Sequence, residues 1–265
     1  MLEWFNPRLS GLKIEQIDDD CIDALVEELV LSERKPSTVN RYLSLLRAML
    51  NAAILWRWLK FAPKVRQVKD RAKRVRWLTF GEAMRLLTQL PPHLSDMAAF
   101  SLETGLRRSN VTGLTWTQVD LDRSVAWIHA DQAKGRRAIP VPLSSTACAI
   151  LRKWILQHHE FVFVYRGRRV IQTNTKAWRL ALDRAGIKNF RWHDLRHTWA
   201  SWHAQNGTPR HILQELGGWS DERMVKNYAH LSVQHLTPHV DQLHSVLRQG
   251  SLPVGRIRRI REPSE

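Results

Sequence analysis

The chain has 265 residues, 43% of them hydrophobic and 25% charged, enough apolar material for one large core or two ordinary ones and too much for wholesale disorder. Lys and Arg outnumber Asp and Glu by 41 to 25, a formal net charge of +16, which points to a polyanionic partner, nucleic acid ahead of an acidic membrane surface; a generally basic soluble protein is the plainer reading. No apolar run reaches the roughly 20 residues that span a bilayer, "MLEWFNPRL" lacks the basic start and apolar stretch of a signal peptide, and Cys21 and Cys148 suit a reducing compartment while excluding a zinc ribbon or a disulfide framework.

Residues 1–30 are acidic, and "IDDDCIDALVEELV" places Ile22, Leu25, Val26 and Leu29 on one face of an amphipathic helix. The charge then reverses, with thirteen Lys or Arg against Glu33 and Asp70 in residues 31–76. Within them "PSTVNRYLSLLRAMLNAAILWRWL" predicts a helix capped at Ser37 or Thr38, with Val39, Tyr42, Leu43, Leu46, Met49, Leu50 and Ala53 on its inner stripe. Arg41 and Arg47 fall off that stripe, free to meet solvent or phosphate. Pro63 ends the pattern. The segment after it, "KVRQVKDRAKRVRW", shows little apolar periodicity and reads as a basic linker over 63–76, with Lys64 and Arg66 as candidate phosphate contacts and a solvated charge run as the bland alternative.

A second domain, 77–265, opens with Thr79 and Glu82 at capping-box spacing. "HLSDMAAFSLETG" predicts a helix stopped by Gly105. "SVAWIHA" and "RAIPVPL" alternate as the strands of a hairpin with Lys134 and Gly135 near its tip. Helices are expected over 145–157, 175–185, 194–206, 209–216 and 221–229, and a last one over "TPHVDQLHSVLRQ". The fold class is mainly α with a small antiparallel β-sheet, a helical domain over 1–62 preceding the linker.

The densest cluster of reactive side chains is "RWHDLRHTWASWH", residues 191–203, with three His, two Arg and three Trp in thirteen positions. His193 and His197 are four apart, the spacing of two zinc ligands on one helix face. The HExxH pattern, however, would have Glu where this chain has Asp194, and Arg196 beside the pair repels a dication, so no metal or other cofactor is expected. His193 and Arg196, three apart at a helix N-terminus, instead suit an anion: Arg offers a planar fork for phosphate oxygens, and His exchanges a proton near neutral pH. The bland alternative has His193 capping the helix and Arg196 paired with a carboxylate. His197, Trp199 and Trp202 read as packing the helix into the core. Elsewhere, "ETGLRRSNVTGL" sets Arg107 just past a glycine-ended helix, Lys134 sits at the hairpin tip, and "LGGWSDERMVKNYAH" ends at Tyr228, one of three tyrosines. Each of these, alone, is weak: a surface arginine, a turn lysine, a core aromatic.

TGLR, a hairpin Lys, HDLRH, LGGW and YAH, in that order over about 125 residues, together resemble the tyrosine recombinase (phage integrase) family. The likeness extends over essentially the whole chain. The N-terminal region, including "PSTVNRYLSLLRAMLNAA", resembles the helical core-binding domain, and from about residue 77 onward the chain resembles the mixed α/β catalytic domain. The resemblance implies that Arg107 and Arg196 form an arginine clamp, that Lys134 is the hairpin lysine and general acid, and that Tyr228 is the nucleophile. His193, the HxxR histidine, would accept the phenol's proton or orient the phosphate. Most members have histidine where this chain has Trp219, although some place tryptophan there; Trp can donate one N–H but cannot shuttle a proton. The implied activity is site-specific cleavage and rejoining of DNA strands through a covalent 3′-phosphotyrosine. Double-stranded DNA with a specific site is the implied partner, bound by a homotetramer on paired sites, with accessory DNA-bending or excision proteins. The C-terminal segment "LTPHVDQLHSVLRQ" would pass to a neighbouring subunit or pack on its own domain. A type IB topoisomerase and a non-catalytic DNA-binding regulator are the alternatives. The expected setting is cytoplasmic and nucleoid-associated, away from membranes.

Overall fold

The computed structural model describes residues 1–69, 76–133 and 137–229. They fall into two compact units, divided between Arg74 and Val75. Among them, no helix is long and apolar enough to cross a membrane.

The first unit is three α-helices, α1 (Leu2–Leu9), α2 (Asp19–Leu31) and α3 (Pro36–Leu55). The Asp18 carboxylate caps α2 by accepting the Cys21 amide at 2.9 Å. Ile22, Leu25 and Leu29 of the predicted stripe are buried, and they pack with Phe5 of α1 and with Val39, Leu43, Leu46 and Leu50 of α3. Helix α3 starts earlier than Ser37 or Thr38: Lys35 is its N-cap and Pro36 its first residue, a position where the missing N–H costs nothing. Arg47 is tied by one bond to the chain that follows α3. Its guanidinium donates to the Val65 carbonyl at 2.5 Å, while the Asn40 side chain bonds both the N–H and the C=O of Val68. The first half of the segment read as a linker is therefore fastened to α3, with Val65 buried in the same core. Arg41, Lys64 and Arg66 are exposed.

In the second unit, α4 (Phe80–Gln89) carries the expected capping box, Thr79 accepting the Glu82 amide and Glu82 accepting the Thr79 amide. Helix α5 (Pro92–Thr104) is the centre of the core: Leu94, Met97, Ala98, Phe100, Ser101, Leu102 and Thr104 are all buried. It packs against α7 (Ser145–Arg152) and α9 (Asp194–Gln205), while α8 (Lys176–Arg184) lies on α4. Helix α7 ends five residues before the expected 157, the chain passing into turns from Lys153. Strands β1 (Val119–Asp120), β2 (Val125–Ile128) and β3 (Ile139–Pro142) form one antiparallel sheet, with Val125 opposite Pro142 and Ile128 opposite Ile139. A second hairpin, β4 (Val164–Tyr165) and β5 (Arg168–Arg169), was not apparent from the sequence. The short α6 (Arg108–Thr112) follows α5, and α10 (Arg210–Gly217) and α11 (Arg223–Ala229) close the described chain. The helix expected over "TPHVDQLHSVLRQ" lies outside the described residues.

Candidate active site

Three helix boundaries set the site. Helix α5 ends at Gly105, whose φ of 62° is left-handed and whose absent Cβ would stand 2.3 Å from the Trp199 ring; only glycine lets α5 and α9 approach this closely. Two residues on, Arg107 is the N-cap of α6, its side chain half-buried. Helix α10 ends at Gly217 and Gly218, and a Cβ on Gly217 would stand 2.3 Å from the Trp219 ring.

Arg196 joins these boundaries. It is only 5% exposed, and its guanidinium donates to the carbonyls of Gly105 at 2.7 Å and Gly217 at 2.5 Å while lying over Trp219, 4.5 Å from the ring centroid. Two of its five N–H groups are so used, leaving three for another acceptor. Burial, then the nearby charge of Arg107, lowers its pKa to about 10, which still leaves it cationic at neutral pH. The neighbouring carboxylate is engaged elsewhere: Asp194, 1% exposed, pairs with Arg191 at 3.2 Å and accepts the Arg191 backbone N–H. Among the described residues no carboxylate lies within ion-pair distance of Arg107 or Arg196.

His193 stands at the N-terminus of α9 and makes no side-chain capping bond, so that bland role is not taken up either. Its surroundings, and then the charge of Arg196, lower its pKa and leave a neutral imidazole. Tyr228, on α11, is 2% exposed and packs against Trp219, the ring centroids 6.0 Å apart. Its hydroxyl lies 2.5 Å from Nδ1 of His197.

That contact corrects the expectation that His197 merely packs α9 into the core. His197 stands edge-on to His193, 5.0 Å between ring centroids, and its pKa falls to about 4, through burial first and then the neighbouring His193. The four-residue spacing, which puts both histidines on one face of α9, is the sequence signal for their contact. Among the described residues no group of three or more His, Cys, Asp or Glu is arranged to hold a metal. Trp199 is buried as expected, and Trp202 donates from its indole to the Leu78 carbonyl at 2.9 Å, tying the start of the second unit to α9. The structure thus gathers Arg107, His193, Arg196, Trp219 and Tyr228, with His197 added. Lys134 lies outside the described residues.

Comparison with known proteins gives this arrangement its relatives. Residues 76–235, more than half of the chain, match the phage integrase family. The chain belongs to the phage integrase family. Within that family it is 46% identical over 224 residues to the integrase of Salmonella phage P22, covering 79% of this chain and 58% of that protein. The chain spans less than two thirds of the length of the first curated relatives it matches, 54% of the shufflon-specific DNA recombinase of Escherichia coli among them. Two integrase structures show the same fold at 18% identity. The Tn1549 transposon integrase in complex with transposon right end DNA has a TM-score of 0.72, with 89% of each chain covered. A lambda integrase dimer bound to a COC′ core site has a TM-score of 0.70, with 86% of this chain and 85% of that one covered. The integrase fold is mainly helical with small antiparallel sheets, as the sequence indicated.

Proposed function

We propose that the protein is a site-specific DNA recombinase that cleaves and rejoins strands through a 3′-phosphotyrosine at Tyr228. One observation carries the reading: Arg107 and the buried Arg196 converge with no carboxylate in ion-pair reach among the described residues, beside a phenol held against the same helix. Two uncompensated cations in a partly desolvated site require an anion, and a DNA phosphodiester supplies one. In the reaction Tyr228 Oη bonds to phosphorus and loses its proton, the P–O5′ bond breaks, and the departing oxygen takes a proton from Lys134. Negative charge builds on the non-bridging oxygens, where each well-placed cationic donor is worth about 3–4 kcal/mol. His193 hydrogen-bonds the same phosphate, and Trp219 supports the Arg196 plane. The phosphotyrosine keeps the energy of the broken bond, so a 5′-hydroxyl of a second strand rejoins DNA without a nucleotide cofactor.

The substrate is duplex DNA with a recombination site, bound in the cytoplasm by a homotetramer on paired sites, with accessory DNA-bending or excision proteins. The dimer named for lambda integrase and the basic, exposed Arg41, Lys64 and Arg66 support a DNA partner. The test is a nicked suicide substrate that traps the adduct. Tyr228→Phe is expected to abolish the adduct while DNA binding stays within about twofold, since only a hydroxyl is lost; an adduct from this variant overturns the assignment. Relaxation of a supercoiled plasmid lacking any recombination site marks a topoisomerase instead.

A further inference from the structure

We propose that His197, and not His193, is the base that receives the Tyr228 proton. The proposal rests on the reading of Tyr228 as nucleophile, and it gives a catalytic role to the last residue of HDLRH, to which the family resemblance assigned none. Only one imidazole nitrogen among the described residues is hydrogen-bonded to the phenol, and it is Nδ1 of His197 at 2.5 Å. A base has to be within hydrogen-bond reach of the proton it removes, and geometry precedes basicity in choosing it. His193 stands one turn earlier, as the N-cap of α9, with its ring edge-on to that of His197.

The charges around the pair explain why the proton stays on oxygen until DNA arrives. His197 is faced by His193, Asp194, Arg196 and Arg191, all on or just before α9, and by Tyr228 from α11. Burial and this cationic excess hold its pKa near 4, while burial raises Tyr228 to about 12. A phosphodiester seated on Arg107 and Arg196 brings a negative charge beside the imidazole and favours its protonated form. As Oη–P forms and P–O5′ breaks, the phenolic proton passes to Nδ1. During rejoining, His197 returns it to Oη when the incoming 5′-hydroxyl displaces the tyrosine. The proton balance closes over one cycle, and no other reactant is needed.

The experiment measures adduct formation on the suicide substrate at saturating DNA for wild type, His197→Ala and His197→Asn. Each is made with ordinary tyrosine and with a fluorinated tyrosine whose phenol is more acidic; the chain has three tyrosines, so global replacement is practical. Both variants are expected to bind DNA normally and to cleave roughly a hundredfold more slowly. The acidic phenol is expected to recover most of that loss, because it sheds its proton without a base. Asn keeps a hydrogen-bond acceptor beside Oη but takes no proton, so restoration of the rate by Asn overturns the proposal in favour of simple positioning. A wild-type rate in His197→Ala, or a slow variant that the acidic phenol does not rescue, overturns it too. An adduct surviving in Tyr228→Phe instead strikes the nucleophile assignment, separately from His197.

Discussion

Arg196 differs from an ordinary buried arginine in what it is bonded to. Both of its protein partners are backbone carbonyls, which orient a guanidinium without cancelling its charge. Lysine keeps that charge but offers a single ammonium, so it cannot span the Gly105 and Gly217 oxygens and present a fork to phosphate together. Arg196→Lys is therefore expected to slow adduct formation by about a hundredfold or more while retaining DNA binding, measured as single-turnover cleavage with a parallel binding titration. The aromatic and histidine side chains around it also titrate against folding. The folded pKa of His197, near 4, lies below the free-histidine value, so its stabilising contribution is complete above about pH 6.5 and is lost as pH falls toward 4. Tyr228 behaves in the opposite sense: raised to about 12, it contributes fully below about pH 10 and loses that contribution as pH climbs through 12. Urea midpoints of wild type should therefore fall relative to those of His197→Asn between pH 6.5 and 4, and parallel curves would contradict the buried neutral imidazole.

At the level of elements, glycine-ended helices determine where reactive groups can stand. Gly105→Ala forces a left-handed alanine and drives its methyl into Trp199, at a cost of roughly 2–4 kcal/mol, which urea denaturation of the catalytic unit would register. The same change tilts the end of α5 and should also slow cleavage, because the Gly105 carbonyl holds Arg196. These boundaries were readable beforehand: Gly105 after an amphipathic run and the Thr79–Glu82 box are local chemistry, and local chemistry is what a sequence displays. The β4–β5 hairpin escaped notice because its strands have two residues each, too short for alternation to register. The fastening of residues 64–69 to α3 escaped for another reason. It depends on Asn40 and Arg47 reaching backbone groups 28 and 18 positions away, and periodicity does not reveal such contacts. The role of His197 was likewise hidden, since its partner lies 31 residues downstream and the bond exists only after α11 docks. The arginine, histidine and tyrosine positions of the site were legible through their ordered motifs, but not the partnerships among them.

At the scale of the whole molecule, each of the two units has its own apolar interior. The first is formed by α1, α2 and α3; the second unit holds one cluster around α5 and a smaller one that includes Trp199, Leu213, Trp219 and Tyr228. An excess of sixteen positive charges makes association with a polyanion strongly salt-dependent, because every neutralised phosphate releases counterions. Binding to duplex DNA should weaken by at least about a thousandfold between 50 and 200 mM salt if six or more phosphates are contacted, and a gel-shift series measures the slope. A flat response would count against the exposed basic residues of the first unit as DNA contacts. The single guanidinium that closes the ends of both α5 and α10 has a further consequence: position 196 answers to architecture and to reactivity at once. Neutralising it to block the proposed cleavage also unties two helices, so an inactive protein obtained that way is a poor mimic of the resting one. Removing one oxygen from Tyr228 leaves those ties in place, and that substitution is the better choice for trapping the protein on uncut DNA.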